Sequence, residues 1–201
     1  MKIIVVGGNG TIGKRLSSAL PTRGHDVVVA GRSSGDVRVD LTSAKSITRM
    51  YQQVPGVDAV VGVAASGALD DFSTLTEAEL LDNMRGKFFG QVNLVLIGQH
   101  YLNDGGCFTL TSGVFADEAW KGVTGGGLIS GALHSFVLSA AIELPRGIRA
   151  NVISPTLVAD SLDESSDDFP GMKPVLIDDL VTSYVTCVES DDNGVIIRAY
   201  A

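Results

Sequence analysis

Three glycines near the start of the chain have the spacing of a phosphate-binding loop. Gly7, Gly10 and Gly13 directly follow a β-branched run and open a segment of helical periodicity. There, Gly7 allows a tight turn, Gly10 a close approach of the backbone to a pyrophosphate, and Gly13 tight packing of helix on strand. The helix N-terminus adds N–H donors for the anion. The pattern predicts dinucleotide binding by a loop that also contains Asn9, Thr11 and Ile12; the alternative is a strand-to-helix turn without a ligand.

The end of the next β-branched run carries a basic residue where an acidic one is common. An NAD site usually places Asp or Glu there to bind the ribose 2′-hydroxyl, whereas this chain has Gly31 followed by Arg32. A guanidinium group with the hydroxyls of Ser33 and Ser34 beside it suits a 2′-phosphate. We therefore expect NADP(H) rather than NAD(H), the alternative being a surface arginine. Asp40 and Leu41, after a third short strand, are expected to face the adenine ring.

Short β-branched runs alternate with longer helical segments along the whole chain. This alternation is typical of βαβ units and predicts one doubly wound α/β domain over residues 1–201. We expect a Rossmann-type parallel sheet of seven strands with helices on both faces. The predicted strands are 2–6, 26–30, 37–39, 59–63, 106–110, 149–153 and 195–198. The predicted helices are 11–20, closed by Pro21, and 43–53, 76–96, 127–144 and 178–189.

Composition and charge exclude several classes of protein. The chain has 201 residues, 45% hydrophobic and 19% charged, with a net charge of −8, the wrong sign for binding nucleic-acid backbones. The first residues are too short an apolar segment for a signal peptide, and we found no apolar run long enough to span a membrane. Cys107 and Cys187 are far apart and lack clustered histidines, so no metal site is expected. We expect a cytoplasmic protein whose ligands are small molecules.

Further motifs, in this order, resemble the short-chain dehydrogenase/reductase family over nearly the whole chain. Segment 58–65 is similar to that family's fourth strand and the loop after it, which implies that Ala64 and Ala65 lie beside the cofactor. Segment 148–155 is close to its sixth strand. The resemblance implies that the loop after this strand binds the nicotinamide amide. The residues expected there are Pro155, Leu157 and Val158.

The catalytic motifs of the family are only partly present. Asn83 resembles the structural asparagine, and Ser112 stands where a strand ends in the catalytic serine. The family's Tyr-x-x-x-Lys pair is absent, because the alignment puts Gly126 and Ser130 at its two positions. That tyrosine exchanges a proton with the substrate oxygen, and the lysine lowers its pKa. Either other groups do the chemistry or there is none.

Three residues are candidates to replace the missing pair. Ser112 could still hydrogen-bond a carbonyl oxygen, or it is a strand-end hydroxyl bonded to backbone. Lys87 lies four residues after Asn83, on the same helical face, and could supply an ammonium at the ribose, although such a lysine is more often solvated. His134 is the least favoured, because the family often has a bulky residue there that packs against a partner subunit.

The resemblance implies an NADP-dependent oxidoreductase acting on a small carbonyl or alcohol by a non-standard or weakened mechanism. The alternatives are a non-catalytic NADP(H)-binding sensor and a structural partner of an active relative. Family members commonly dimerise through the two helices that correspond to 76–96 and 127–144, so the resemblance also implies a homodimer or homotetramer. The acidic segment 160–169 falls where the family carries a substrate lid, and a solvated loop explains it equally well.

Overall fold

The computed structural model describes residues 1–64, 69–160 and 168–200. It contains one seven-stranded sheet in which every neighbouring pair of strands is parallel. The strands are β1 Lys2–Val6, β2 Asp26–Gly31, β3 Val37–Arg38, β4 Val57–Gly62, β5 Leu102–Thr111, β6 Arg149–Pro155 and β7 Ile196–Ala199. Their order is β3-β2-β1-β4-β5-β6-β7. The predicted doubly wound, seven-stranded parallel sheet is confirmed.

Both faces of the sheet are apolar. Successive side chains of a strand point to opposite faces, and both sets of side chains are hydrophobic here. In β1, Ile4 and Val6 belong to one hydrophobic cluster, and Ile3 and Val5 to the other. The helices are α1 Thr11–Thr22, α2 Ala44–Gln53, α3 Glu77–Met84, α4 Gly90–Gly98, α5 Thr124–Glu143 and α6 Ile177–Glu189. Helices α2, α4 and α5 cover the first face, and α1 and α6 the second.

Helix α1 does not end at Pro21 as predicted. It continues to Thr22, with Pro21 inside its last turn. The N–H groups of Arg23 and Gly24 donate to the carbonyls of Leu20 and Pro21 and close the helix there. A proline so near the C-terminus costs only one helical hydrogen bond, so the turn survives.

The predicted helix 76–96 is interrupted. Thr76 caps α3 through a capping box with Glu79, but a π-helical turn, Arg85–Phe89, separates α3 from α4. A π-turn inserts an extra residue into the helical repeat and rotates the residues after it about the helix axis. At its end Gly90 approaches Leu41 so closely that an added Cβ would lie 2.8 Å from the Leu41 Cβ.

Helix α5 begins one turn before the predicted start. The carboxylate of Asp70 accepts a hydrogen bond from the N–H of Gly125 and so caps the helix from a distant segment. With 20 residues and a mean hydropathy of 1.4 over an 18-residue window, α5 is by length and composition sufficient to cross a membrane, which corrects the expectation that no run has that length. Here its Ile129, Leu133 and Val137 pack into the core.

Candidate active site

A cleft of about 540 Å³ opens at the carboxyl ends of β1, β2 and β4. Strand β1 lies between β2 and β4, so successive strands leave it in opposite directions and the cleft is the topological switch point where α/β proteins bind ligands. The lining residues are Val6, Gly7, Gly10, Thr11, Ile12, Gly31, Arg32, Val39, Leu41, Val63, Ala64, Gly86, Lys87 and Val158. The sheet thus brings the glycine loop, Arg32 and Lys87 to one cavity.

The glycine loop leaves no room for larger residues. Gly7 has φ +87°, and a Cβ there would lie 2.6 Å from the Ala64 nitrogen. A Cβ on Gly13 would lie 2.2 Å from the carbonyl oxygen of Gly7. Gly10 is the N-cap of α1 and supplies no capping side chain, and the first turn has no acidic residue. The N-terminus of α1 therefore stays open to an anion, and the cradle suits a pyrophosphate.

Several predicted cofactor residues support the loop and do not line the cleft. Gly13 permits helix packing, and Asn9 Nδ2 donates to the hydroxyl of Ser34 at 2.8 Å. Asp40 does not turn its carboxylate to the cleft as expected. Its Oδ1 accepts from the hydroxyl of Thr42 at 2.8 Å, and these bonds to Thr42 lower the pKa of Asp40. The residues outside the cleft lining are Asn9, Gly13, Ser33, Asp40, Pro155 and Leu157; Ala65 lies outside the described residues.

The end of β2 excludes the acidic side chain of an NAD site. A Cβ on Gly31 would lie 2.5 Å from the carbonyl oxygen of Ser34, so an Asp or Glu at this position must displace the turn. Arg32, the next residue, is exposed and lines the cleft. The side chain that follows β2 at the cleft is therefore positively charged.

Asn83 and Lys87 do not share a site, contrary to the expectation of a common helical face. Lys87 lines the dinucleotide cleft, where burial lowers the pKa of its ammonium. Asn83 is exposed on α3 and lines a second pocket of about 410 Å³. Lys87 lies within the π-helical turn Arg85–Phe89, which rotates it out of the register of α3.

The second pocket is acidic and adjoins the N-terminus of α5. Its carboxylates belong to Asp70, Asp71, Glu79 and Asp82. Gly126, at the place of the family's tyrosine, follows the Gly125 N–H that Asp70 binds. The expected lid falls mostly on residues 161–167, which lie outside the described residues. Phe169, after that segment, is buried; its ring is tilted against that of Phe115 and makes an edge contact with that of Trp120.

Ser112 is held beside an imidazole. Its Oγ lies 2.7 Å from Nε2 of His134, and both side chains are buried. Burial lowers the pKa of His134, opposed by the charge of Asp117 and reinforced by that of Arg198. From the sequence, His134 is the least favoured candidate. In the structure its side chain is buried and contacts Ser112. Ser112 and His134 are 22 residues apart, so no periodic pattern in the sequence indicates their contact.

Two residues not identified from the sequence fix the end of β5. The side-chain amide of Gln91 bonds both backbone groups of Thr111, accepting its N–H at 2.8 Å and donating to its carbonyl at 2.7 Å. Gln91 also donates to the carbonyl of Lys87 at 3.2 Å. The hydroxyl of Thr111 donates to the carbonyl of Gly62 at 2.6 Å and lies 2.6 Å from the hydroxyl of Tyr184. These bonds fix the carboxyl end of β5, which Ser112 follows; Ser112 itself is not among the residues that line the cleft.

Replacing Thr111 by valine is expected to lower the free energy of unfolding by about 1–3 kcal/mol, because the buried carbonyl of Gly62 and hydroxyl of Tyr184 lose a partner. Urea unfolding followed by circular dichroism measures the change. Thr111→Ser is the matched control, since it keeps the hydroxyl and removes one methyl. Equal losses in both variants would show that the methyl, and not the hydroxyl, stabilises the strand end.

Comparisons with known proteins agree with this geometry. A family model described as Enoyl-(Acyl carrier protein) reductase matches residues 7–184. The protein lin1944 from Listeria innocua is 37% identical over 100% of both chains, with a TM-score of 0.96. A search among curated proteins returned no match.

Two more distant structures share the fold. A small-chain dehydrogenase in complex with NADPH is 24% identical, with a TM-score of 0.85 over 98% of this chain and 95% of that one. A short chain dehydrogenase/reductase family protein is 19% identical, with a TM-score of 0.87 over 99% and 95%. The family-model match over most of the chain, together with the fold and the glycine loop, shows that this chain belongs to the short-chain dehydrogenase/reductase family of oxidoreductases.

Proposed function

We propose that this protein is an NADP(H)-dependent oxidoreductase that interconverts a small carbonyl compound and its alcohol. The observation that carries the proposal is the cleft itself, in which the open N-terminus of α1 and the guanidinium of Arg32 lie along one cavity. The first binds a pyrophosphate and the second a 2′-phosphate. The crowding at Gly31 disfavours the acidic residue of an NAD site. The NADPH bound by a structural neighbour is consistent with this choice.

The residues that line the cleft and the buried polar residues at the end of β5 have separable tasks in this proposal. NADPH, when bound, supplies a hydride to the carbonyl carbon. Gly10 and the first turn of α1 hold the pyrophosphate, and Lys87 binds the ribose near the nicotinamide. Ser112, at the end of β5, donates a hydrogen bond to the carbonyl oxygen. Gln91 and Thr111 keep that hydroxyl in place.

A non-catalytic NADP(H) sensor is the second candidate, favoured by one observation: Gly126 and Ser130 stand where the family has its reactive tyrosine and lysine. Turnover separates the two. The purified protein should consume NADPH with at least one member of a panel of small aldehydes and ketones that includes 4-nitrobenzaldehyde. NADPH binding without consumption across the panel would favour the sensor.

We also propose that the chain forms a homodimer or homotetramer through α4 and α5. The outward face of α5 exposes Leu128, Leu138 and Ile142, the last being 85% exposed. Leu96 of α4 and Phe89, just before α4, are exposed as well. An apolar face of this kind marks an interface. Light scattering should give two or four times the mass of one chain.

Charge on that face should break the assembly. Ile142→Glu is expected to shift the protein to the mass of a single chain at micromolar concentration, since a buried unpaired carboxylate opposes association. Leu176→Glu is the control, because Leu176 is also exposed but lies at the start of α6, on the other side of the sheet. A wild-type protein with the mass of one chain would contradict the proposal.

A further inference from the structure

The side chain of His134 points away from the exposed face of α5 and contacts Ser112. The Nε2–Oγ distance is 2.7 Å, and the two residues are 7% and 5% exposed. The N–H of Ser112 donates to the carbonyl of Ile153 at 2.9 Å, which fixes the residue at the carboxyl end of β5. The hydroxyl that stands in the place of the family's serine therefore has an imidazole as its direct neighbour.

A second hydroxyl beside this pair has no hydrogen-bond partner in the part of the chain that the structure describes. Ser130, one turn before His134 on α5, is fully buried, and among the described residues its Oγ makes no hydrogen bond. This oxygen lies 3.5 Å from the position of a Cβ on Gly113, the residue after Ser112. An unsatisfied buried hydroxyl is costly, so it marks a place where a ligand or a water completes the site.

The tyrosines near this end of the sheet are already engaged. The phenol of Tyr184 is buried against the hydroxyl of Thr111 at 2.6 Å. The phenol of Tyr200 donates to the carboxylate of Asp117 at 2.7 Å. Within the described part of the chain, His134 is the titratable group in hydrogen-bond contact with Ser112.

We propose that Ser112 exchanges the proton with the substrate oxygen and that His134 is the positioning residue that supplies and accepts that proton through Ser112. The proposal rests on the proposed function, because it assigns the proton that accompanies hydride transfer. It gives the imidazole–hydroxyl pair the proton-transfer task that the family's phenol and ammonium perform. His134 then acts without touching the substrate.

The transfer balances in both directions. In reduction, the carbonyl carbon gains the hydride and the π electrons of the carbonyl pass to its oxygen. That oxygen takes the proton of Ser112 Oγ, which takes a proton from Nε2 of protonated His134; water then reprotonates the imidazole. In alcohol oxidation, Ser112 takes the alcohol proton and gives its own to neutral His134, while the cofactor gains the hydride.

The charges around His134 fix the sign of the pH dependence. Asp117 and Arg198 face it, from the segment after β5 and from β7, and the carboxylate of Asp117 accepts hydrogen bonds from Arg198 and from Tyr200. Burial, the largest influence, lowers the pKa of His134, so the neutral form prevails at neutral pH. Alcohol oxidation should therefore rise with pH through this pKa and then level off, whereas carbonyl reduction should fall.

The test uses the full chain and two independent readouts. The titration of His134 is followed by NMR in the wild type and in Ser112→Ala. The rates of NADPH oxidation by 4-nitrobenzaldehyde and of NADP⁺ reduction by 4-nitrobenzyl alcohol are measured against pH in the wild type, His134→Gln and His100→Gln. Glutamine keeps a hydrogen bond to Ser112 but does not titrate, and His100 is an exposed control.

The expected result is a His134 titration that changes in Ser112→Ala. In His134→Gln we expect a rate lowered about 100-fold, the loss of its pH-dependent limb, and an unchanged NADPH dissociation constant. The His100→Gln variant should match the wild type. An identical His134 titration in wild type and Ser112→Ala, or a pH limb that survives in His134→Gln, would overturn the proposal. If the wild-type protein does not bind NADPH, the proposed function itself is refuted.

Discussion

Replacing Gly13 by alanine is expected to abolish NADPH binding and to lower the free energy of unfolding by about 3 kcal/mol. The new Cβ would lie 2.2 Å from the carbonyl oxygen of Gly7 and 2.6 Å from the Cα of Gly8. Both are backbone atoms, so no side-chain rotation relieves the contact. Helix α1 must move away from the loop, and its N-terminal N–H groups lose their position against the pyrophosphate.

Gly131→Ala is the matched control for this change. Gly131 lies inside α5, and no described atom is within 4 Å of the position of its Cβ. The alanine should raise the free energy of unfolding by up to about 1 kcal/mol, through its higher helix propensity. Urea unfolding and a fluorescence titration with NADPH measure both effects. A Gly13→Ala protein that binds NADPH as tightly as the wild type would refute the assigned role of the loop.

Replacing Arg32 by alanine is expected to weaken NADPH binding by about 10- to 100-fold and to leave NADH binding nearly unchanged. A hydrogen bond to a charged group contributes about 1.5–3 kcal/mol, and each 1.4 kcal/mol is about a tenfold change in affinity. NADH has no 2′-phosphate, so the loss of the guanidinium removes no contact to it. The variant should therefore lose most of the discrimination between the two nucleotides.

Arg49→Ala controls for the general loss of positive charge. Arg49 is exposed on α2 and does not line the cleft, so its removal should leave both affinities within about twofold. Titrations of both variants with NADPH and NADH at the same ionic strength make the comparison. Equal weakening of both nucleotides in Arg32→Ala would show that Arg32 contacts something other than the 2′-phosphate.

The fold could be predicted because it depends on patterns that are local in sequence. Ile3 and Ile4 point to opposite faces of the sheet simply because they are adjacent in a strand, and both belong to a buried cluster. The glycine loop was equally readable, since strand, turn and helix succeed one another without interruption. Arg32 could be predicted in the same way, because it directly follows a strand, and it lines the cleft in the structure.

The rest of the site depends on contacts between distant segments, which leave no periodic signal. The carboxylate of Asp70 caps α5 from 55 residues away, and Ser112 contacts His134 across 22 residues. The π-helical turn that contains Lys87, and rotates it out of the register of Asn83, also leaves no sign in the hydrophobic pattern. Sequence spacing therefore grouped Asn83 with Lys87, and the family resemblance favoured a subunit contact for His134.

The most direct test of the account is a titration of the wild-type protein with NADPH and, separately, with NADH. The account predicts saturable NADPH binding at micromolar strength, with one nucleotide per chain, and weaker binding of NADH. That result would support the assignment of the cleft formed by Gly10, Arg32 and Lys87. Failure of either nucleotide to bind would contradict it, and the oxidoreductase proposal and the sensor alternative would both fall.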